Sequence, residues 1–485
     1  MQLFAKQILV DQHGKAVNFK LYSLGKPHMR SLHLAWLSFM IAFTAWFSIP
    51  PLLTIISKEL NIAPDKTYDS NIASVSVTIV ARLVVGPLCE RWGPRRVMAG
   101  LLICGAIPCA MTGLVKDGTG LIILRCTIGI LGATFVPCQF WTTQMFAPSI
   151  LGTANAITGG WGNMGGGITY LLIPGIYSGL LQHMTSSLAW RVTFIFPAVF
   201  CITIALLDLF VASDTPQGDW LVLRRQNPGS HTDLSSTNTS SGSENIELEK
   251  GMTNDKVTIQ ENESIASVQK SEPLTGVLYS FVRTLIRPSV LILICQYACS
   301  FGTELAIDNV IGSVFLTRFN LDTVTASYIG SIFGLLNICS RFSGGLFSDY
   351  LAKKFHLPGR MLAQLILMSL EGAFLIGFSF GLGSMRDSIV LMVFFSYFVQ
   401  SVCGSTYAIV PFVDPINNGK VIGIIGAGGN FGGLVFNLMF KSYAGNFEQA
   451  FIVLGIITLS VGVCGCSLLN VQNKRIWHII GKRYE

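Results

Sequence analysis

The chain has 485 residues, of which 51% are hydrophobic and 12% are charged, and its formal net charge is +7. Soluble proteins have about 25% charged residues, so this composition argues against a soluble enzyme and predicts a membrane protein. The mean hydropathy of +0.56 agrees with that prediction.

The amino-terminal residues 1–33 mix basic and acidic residues and contain no apolar core or small-residue cleavage site. We therefore predict a cytoplasmic tail instead of a secretory signal. Twelve apolar segments follow, and a run of about 18 residues or more is long enough to cross a membrane. They are predicted near 34–57, 71–90, 97–116, 120–141, 152–176, 191–212, 288–311, 324–347, 361–381, 388–412, 421–441 and 449–470.

The even number of predicted spans places both termini on one side of the membrane. Basic clusters, such as the one at residues 91–96, mark that side as cytoplasmic by the positive-inside rule, and they need no nucleic-acid partner. The segment 213–287 is rich in Ser, Thr, Asn, Glu and Lys, which predicts a disordered cytoplasmic linker. It separates a six-helix half at 34–212 from a second at 288–470, and 471–485 is a cytoplasmic tail.

Each predicted half contains one arginine that lies alone in an apolar run. Arg82 is the only charged residue in 71–89, and Arg341 is the only one in 323–348. A charge in such a position is costly unless it faces a partner or an ion, so the pair indicates an anion pathway. A glycine and an acid follow each arginine by four and eight residues, which indicates two related halves. These residues are Gly86 and Glu90 in the first half and Gly345 and Asp349 in the second.

Each half also contains a glycine-rich stretch with one asparagine, at 159–167 and 426–433. Small residues at helical spacing let two helices approach closely, so close packing is their first interpretation. For Asn163 and Asn430, packing and direct contact with an anion remain equal alternatives. The glycines that we expect to act in packing or gating are Gly159, Gly166, Gly167, Gly426 and Gly433.

These motifs resemble those of a known family. The stretch 86–96 resembles the loop motif between spans 2 and 3 of the major facilitator superfamily, and 345–354 is a weaker copy. The two glycine-asparagine stretches resemble the nitrate signatures of the nitrate/nitrite porter family, and the long central segment is similar to that of fungal high-affinity nitrate permeases. The resemblance implies an all-α membrane protein with twelve transmembrane helices in two pseudo-symmetric six-helix halves. In the loop motif, Glu90, Arg91 and Asp349 are expected to form acid–base latches at the cytoplasmic rim.

The resemblance also implies substrate-binding residues. Nitrate is flat and spreads its charge over three oxygens, and a guanidinium is flat and offers paired donors, so arginine suits it better than lysine. A structural ion pair is the competing interpretation of each arginine, although neither span holds an acid within a turn of its arginine. The residues matched to the family's substrate site are Arg82, Arg341, Tyr297, Phe301, Phe135 and, more loosely, Phe47, with Asn163 and Asn430 as candidates.

We expect uptake of nitrate, and also of nitrite, by proton symport through alternating access. An anion that enters a cell against 100 mV requires about 2.3 kcal/mol, so a cation must be coupled. Candidate proton carriers are Glu304, Asp308 and Glu371, for which solvation at helix ends is the favoured competing interpretation. The alternatives are a nitrate/nitrite exchanger, a carrier of another small anion and a non-transporting nitrate sensor.

The sequence contains no nucleophile–base set, metal cluster or phosphate-binding loop, which argues against an enzyme and predicts neither a cofactor nor a metal. The expected partners are nitrate, nitrite, protons and the lipid bilayer, without nucleic acid. We expect a multi-pass protein of the plasma membrane that functions as a monomer.

Overall fold

The computed structural model describes residues 5–226, 282–414, 418–443 and 445–481. This part of the chain is helical apart from isolated β-bridges, and eleven of its helical segments are long and apolar enough to cross a membrane. They are numbered in chain order as span 1 (His28–Glu59), span 2 (Pro64–Trp92), span 3 (Pro94–Leu114), span 4 (Gly118–Met145), span 5 (Ile150–Leu181), span 6 (Ser186–Val211), span 7 (Pro288–Phe319), spans 8 and 9 together (Thr323–Gly381), span 10 (Met385–Phe412), span 11 (Val421–Ser442) and span 12 (Phe447–Leu468).

The segment Thr323–Gly381 accounts for two of the twelve predicted spans. Its 59 residues would form a straight helix of about 90 Å, roughly three times the thickness of the hydrocarbon core. Two helices meet instead at His356, where φ is 56° and ψ is −140°. Gly359 packs against the backbone of Leu351, which a continuous helix would place far away, so the chain turns back here. This arrangement agrees with the predicted twelve helices.

Local sequence signals set the ends of the spans. Proline occupies the first turn of spans 2, 3 and 7, where its missing N–H removes no helical hydrogen bond. The side chain of Asp117 accepts a hydrogen bond from Gly120 N (2.7 Å) and caps span 4. Asp322 caps span 8 in the same way, and Asn320 ends span 7 in the left-handed region with φ of 50°. The observed ends lie within a few residues of most predicted ends.

The two sets of six spans meet along two long seams, span 2 with span 11 and span 5 with span 8. Gly167 and Gly334 face each other in the second seam, where a Cβ on either would collide with the backbone of the other helix. An ion pair between Asp69 and Lys441 (2.6 Å) joins the start of span 2 to the end of span 11. The glycine-rich stretches therefore serve close approach between helices, as the packing interpretation predicts.

The residues that follow span 6 and precede span 7 differ from the predicted disordered linker where the structure describes them. Residues 213–226 are ordered and end in the helix Trp220–Gln226, and residues 282–285 are helical before span 7. The predicted start of the linker at residue 213 is too early, because the polar composition of this stretch hides an aromatic anchor. Trp220 Nε1 donates to the carbonyl of Glu90 (3.0 Å). The part of the prediction that concerns residues 227–281 lies outside the described residues.

The loop between spans 2 and 3 forms acid–base contacts, with partners beyond span 6. Arg95 lies 3.3 Å from Asp214 and 2.6 Å from Asp219, and Arg96 lies 2.8 Å from Asp219. Burial raises the pKa of Asp214, and the adjacent Arg95 guanidinium opposes that rise. Gly93 has φ of 84°, and a Cβ there would lie 2.7 Å from the side chain of Trp220. Ordered residues after span 6 therefore clamp this loop.

The residues predicted for the latch have other contacts as well. The guanidinium of Arg91 lies 5.9 Å from the ring of Trp92. In the second half, Asp349 pairs with Arg360 at 2.6 Å, eleven residues further along the chain. Its base therefore comes from beyond the turn at His356, and not from the lysines of the motif itself.

The amino-terminal tail is bonded to the same region. Span 1 begins at His28, a little before the predicted end of the tail. Gln217 Nε2 donates to the carbonyl of His13 (2.5 Å), and the Ser31 hydroxyl donates to the carbonyl of Ser213 (3.0 Å). The start and the end of the first six-span unit are therefore held together.

Candidate functional site

Arg82 is buried between the two sets of six spans, with 5% of its surface exposed. Its Nε donates to the carbonyl of Gly132 (3.1 Å), and its Nη1 donates to the carbonyl of Gly426 (3.3 Å). These bonds tie spans 2, 4 and 11 together. The ion pairs found in the described residues do not include Arg82, so its charge faces only dipoles and aromatic rings there.

Arg341 is equally buried, at 4% exposure, but it has an acidic partner. Its Nη2 lies 2.6 Å from Oε2 of Glu304, whose Oε1 accepts a hydrogen bond from Asn337 Nδ2 (2.7 Å). The ion-pair interpretation therefore holds for this arginine. The acid comes from span 7, so a search of the arginine's own span could not find it.

The ring of Phe301 is close to both guanidiniums. Its centroid is 5.3 Å from Cζ of Arg82 and 5.8 Å from Cζ of Arg341. The ring of Phe135 also contacts the first arginine, with its centroid 4.9 Å from Cζ of Arg82. Cations over aromatic faces are attracted to the ring quadrupole, so these rings help to hold two positive charges near each other.

Two tyrosines extend this aromatic group. Tyr297 stacks on Phe301 with ring centroids 5.3 Å apart and an angle of 8°. Tyr407, on span 10, meets Tyr297 edge to face at 5.1 Å. Its hydroxyl lies 3.3 Å from where a Cβ on Gly426 would be, next to the carbonyl that holds Arg82. The tyrosine hydroxyls therefore lie beside the arginines.

Several buried donors of this group make no hydrogen bond of normal geometry to the described residues. They are Arg82 Nη2, Arg341 Nε and the hydroxyls of Tyr297 and Tyr407. Buried polar groups usually have partners, and guanidinium N–H groups can only donate. With two guanidiniums and one carboxylate, the site has a formal charge of +1. It suits a small anion that offers several acceptor oxygens.

Each arginine lies against the glycine-rich stretch of the opposite half. Arg82 is bonded to Gly426, whereas Arg341 lies against Gly159 and Gly160. A Cβ on Gly160 would lie 3.4 Å from Cβ of Arg341 and 2.9 Å from the carbonyl oxygen of Asn337. The absence of side chains in these stretches makes room for the guanidinium of the other half.

The two signature asparagines act within their own helices. Nδ2 of Asn163 donates to the carbonyl of Gly159 (2.9 Å), and Nδ2 of Asn430 donates to that of Gly426 (3.1 Å). The carbonyl of Gly426 thus accepts from both Asn430 and Arg82. These contacts favour support of the glycine-rich backbone over direct contact with an anion.

The expectation of solvation at helix ends is wrong for the three candidate proton carriers. Glu304, Asp308 and Glu371 are 0%, 2% and 0% exposed. A Cβ on Gly166 would lie 2.8 Å from Oδ2 of Asp308, which places this carboxyl at the contact of spans 5 and 7. Both carboxyl oxygens of Glu371 are buried without a hydrogen-bond partner among the described residues. For Glu304 and Asp308 the reason is that span 7 extends to Phe319, eight residues beyond its predicted end at 311.

The ring of Phe47 makes no cation–π contact with either arginine in the described part of the chain. Its ring packs against Phe43 at 5.2 Å and Trp46 at 4.7 Å, and those are its ring contacts within the described residues. The structure thus gives Phe47 a core position in span 1. It brings Phe135, Tyr297 and Phe301 together around the arginines.

Comparison with known sequences identifies the family. The Major Facilitator Superfamily model matches residues 35–410, which is most of the chain. The chain belongs to the major facilitator superfamily. The crystal structure of a bacterial homologue of the human lysosomal transporter Spinster, in an inward-facing and occupied conformation, has a similar fold, with a TM-score of 0.62 at 11% identity over 91% of this chain and 97% of that one.

Relatives narrow the position within the superfamily. High affinity nitrate transporter 2.7 of Arabidopsis thaliana is 36% identical, over 93% of this chain and 85% of that protein. The nitrate/nitrite transporter NrtP of Nostoc punctiforme is 28% identical, over 87% of this chain and 88% of that protein. The predicted membership in the nitrate/nitrite porter family of the major facilitator superfamily is therefore confirmed, and these relatives are transporters rather than enzymes.

Sequence reasoning missed Tyr407 at this major facilitator site, and it named Glu304 only as a candidate proton carrier, without its pairing to Arg341. Tyr407 lies in span 10 without a matching residue in the first half, so the repeat gave no signal for it. Glu304 did have one: Tyr297, Phe301, Glu304 and Asp308 follow one another at intervals of four, three and four residues. That spacing puts them on one helix face, and an aromatic pair on a face predicts that its other members also point inward.

Proposed function

We propose that this chain is a secondary active transporter of nitrate, with nitrite as a second substrate. The observation that supports it best is the group of buried donors around Phe301, where Arg82 Nη2 and Arg341 Nε have no hydrogen-bond partner among the described residues and two tyrosine hydroxyls lie beside them. A flat anion with three acceptor oxygens can accept from several of them at once. The names of the relatives, which are nitrate and nitrate/nitrite transporters, support the same substrate.

The residues proposed to bind the anion are Arg82, Arg341, Tyr297, Phe301 and Phe135. Guanidiniums are more weakly hydrated than ammonium groups and present donors in a plane, which suits a planar anion with spread charge. The aromatic rings exclude water from the faces of the guanidiniums and strengthen their electrostatic attraction. Tyr407 joins this set as a further donor.

Proton symport is proposed as the driving reaction. A potential of 100 mV, negative inside, opposes the entry of one anion by about 2.3 kcal/mol, so a nitrate uniporter would export. More than one proton per nitrate would make inward transport carry net positive charge. Three carboxyl groups buried in the protein support this proposal, because a nitrate/nitrite exchanger needs none of them.

Transport is proposed to follow alternating access, with units 34–212 and 288–470 rocking about the site. The glycine contacts between spans 5 and 8 support such movement. We further propose that the protein functions as a monomer in the bilayer of the plasma membrane, with both termini in the cytoplasm. The basic residues of the loop between spans 2 and 3 support that orientation.

Nitrate uptake tests this function in cells that lack their own nitrate carrier, at two external pH values. Arg82→Lys and Arg341→Lys are each expected to lower uptake by at least about 30-fold, because a lost charge-assisted contact of this kind costs about 2 kcal/mol or more. Arg318→Lys is the matched control, since Arg318 is exposed at the end of span 7 and pairs with Glu448 at 2.6 Å.

The outcomes separate the competing functions. Full uptake by either variant at the site would contradict the two-arginine site. Flux that depends on internal nitrite and ignores pH would identify an exchanger. Nitrate binding without flux would identify a sensor, and flux of a different small anion in preference to nitrate would overturn the substrate.

A further inference from the structure

Resting on the proposed nitrate transport, we propose that Glu304 is the residue that couples a proton to nitrate. In this mechanism the carboxylate of Glu304 and nitrate compete for the guanidinium of Arg341. A proton that binds to Glu304 Oε2 releases the guanidinium, and nitrate then takes the place of the carboxylate.

The geometry of the ion pair supports this competition. Oε2 of Glu304 lies 2.6 Å from Nη2 of Arg341, and the glutamate is fully buried at 0% exposure. The same guanidinium lies over Phe301, where it shares the ring with Arg82. Nitrate bound between the arginines would therefore lie next to the ionised carboxylate. Two like charges at such close range in a buried site repel strongly, so one of them must be neutralised.

Charge balance also favours the exchange. With Glu304 ionised, the two arginines and the carboxylate give the site a formal charge of +1. With Glu304 protonated and nitrate bound, the formal charge is again +1. The proton comes from solvent and returns to solvent on the other side, and no covalent bond of the protein changes except O–H at Glu304. Neither form leaves an additional uncompensated charge in the membrane.

Several other groups surround the carboxyl of Glu304. Asn337 on span 8 donates to Oε1 at 2.7 Å, and Cys403 on span 10 contacts Oε2 through its thiol at 3.9 Å. Asp308, one turn further along span 7, and Glu371 on span 9 both interact electrostatically with Glu304. Together with Arg341, these are the charged and titratable groups found to interact with this carboxyl in the described part of the chain.

Geometry distinguishes Glu304 from the two other buried acids. Of the three, only Glu304 forms one of the ion pairs found in the described residues. Asp308 faces Gly166, and Glu371 has no hydrogen-bond partner among those residues. Protonation of either would thus release no group of the anion site. Glu304 carries one proton per nitrate in this mechanism, and either Asp308 or Glu371 is available to carry a second.

The decisive measurement uses purified full-length protein in liposomes and two assays. One assay measures nitrate accumulation driven by an inward proton gradient, and the other measures exchange of labelled nitrate at equal pH and equal concentration on both sides. Exchange requires the site but no net proton movement. For Glu304→Gln, whose amide is neutral, we expect exchange to continue and gradient-driven accumulation to be lost.

Nitrate binding provides a second readout. Coupling is reciprocal, so if nitrate binding takes up one proton, the Kd for nitrate should fall by up to about tenfold for each unit of decrease in pH. The slope should disappear in Glu304→Gln. Glu304→Asp keeps a carboxyl and should keep the slope, and Asp308→Asn and Glu371→Gln are the matched controls, which should keep a slope from Glu304.

The failures are distinguishable. Absence of nitrate flux in both assays for the unmodified protein would overturn the proposed function, and the coupling with it. Normal flux in the unmodified protein, together with gradient-driven accumulation in Glu304→Gln, would overturn the coupling alone. Loss of exchange and of nitrate binding in both Glu304 variants would show that the glutamate only maintains the site, and would also overturn the coupling role. Loss of the pH slope in Asp308→Asn or Glu371→Gln alone would assign the proton to that residue instead.

Discussion

Arg82 and Arg341 occupy equivalent positions in the two repeats, yet their surroundings differ. Arg82 is held by the carbonyl oxygens of Gly132 and Gly426, whereas Arg341 is paired with Glu304. The repeat thus preserved two guanidiniums and placed an acid beside one of them. The two halves are related by a repeat, but the electrostatics at their centre are asymmetric. Fixed backbone dipoles hold Arg82, whereas a carboxyl group that can be protonated holds Arg341.

The first prediction tests whether this difference is real. Arg341→Gln leaves Glu304 buried without its base, and loss of one partner of a buried ion pair costs about 3–5 kcal/mol of folding stability. Arg82→Gln leaves no buried acid without its base, so the loss of folding stability should be about 1–3 kcal/mol, which is the cost of the lost hydrogen bonds. Thermal unfolding of the purified protein in detergent measures both.

A double variant provides the control for that comparison. Adding Glu304→Gln to Arg341→Gln should restore most of the lost thermal stability without restoring nitrate transport. Adding Glu304→Gln to Arg82→Gln should restore nothing. Equal rescue in both backgrounds would show that the two arginines have equivalent surroundings after all.

The second prediction concerns glycines of the two halves that face span 7. Gly166→Val would press on Asp308, and Gly433→Val would press on Leu305, which lies 3.0 Å from the Cβ position. Overpacking of this size costs up to about 3 kcal/mol, and we expect slower transport by a protein that still reaches the membrane. Gly179→Val and Gly423→Val are controls on the same two spans, because a Cβ there meets nothing within 4 Å. Unchanged uptake by the first pair would contradict a role in movement.

The third prediction concerns the contact of Arg341 with the opposite half. Gly160→Ala places a methyl group 2.9 Å from the carbonyl of Asn337, beside the arginine, and should cost about 1 kcal/mol. Because the backbone of Asn337 must shift, and the same span carries Arg341, the Kd for nitrate should rise more than folding stability falls. Gly152→Ala on the same helix meets nothing within 4 Å and should leave the Kd unchanged. A similar change in both variants would refute the crossed arrangement.

The smallest effect is expected at the edge of the seam between the halves. Asp69 and Lys441 pair at 2.6 Å, but about a third of each side chain is exposed (34% and 31%). Solvent and salt screen an exposed pair of this kind, so Asp69→Asn should change the transport rate by less than about fivefold. The variant should also be less sensitive to ionic strength than the unmodified protein. A larger loss would make this pair, instead of the central arginines, the main link between the halves.

Most of the fold could be predicted from the sequence, because each membrane span is visible as a hydrophobic run of the chain. Each predicted span coincides with an apolar helix, and the spacing after Arg82 and Arg341 indicated the two related halves. The end of the first half could not be predicted in this way. Residues 213–226 are polar by composition and ordered by contacts with Arg95, Arg96 and Glu90, which lie more than a hundred residues earlier.

The candidate site was predictable where its residues matched a motif. Arg82, Arg341, Tyr297, Phe301 and Phe135 do lie together. The partner of Arg341 was not predictable in the same way, because Glu304 lies 37 residues earlier, on another helix. Such pairing depends on how helices pack. The burial of Glu304 and Asp308 could have been inferred from the helix face that they share with Tyr297 and Phe301.

The bonds that join His13 to Gln217 and Ser31 to Ser213 have a consequence for where this chain can be divided. They join the beginning of the first six-span unit to its end. A cut after residue 226 would therefore leave these bonds intact, and the seams of span 2 with span 11 and of span 5 with span 8 would remain to join the two pieces. Two separately expressed pieces, ending and starting within 227–281, should reassemble in the membrane into a working carrier.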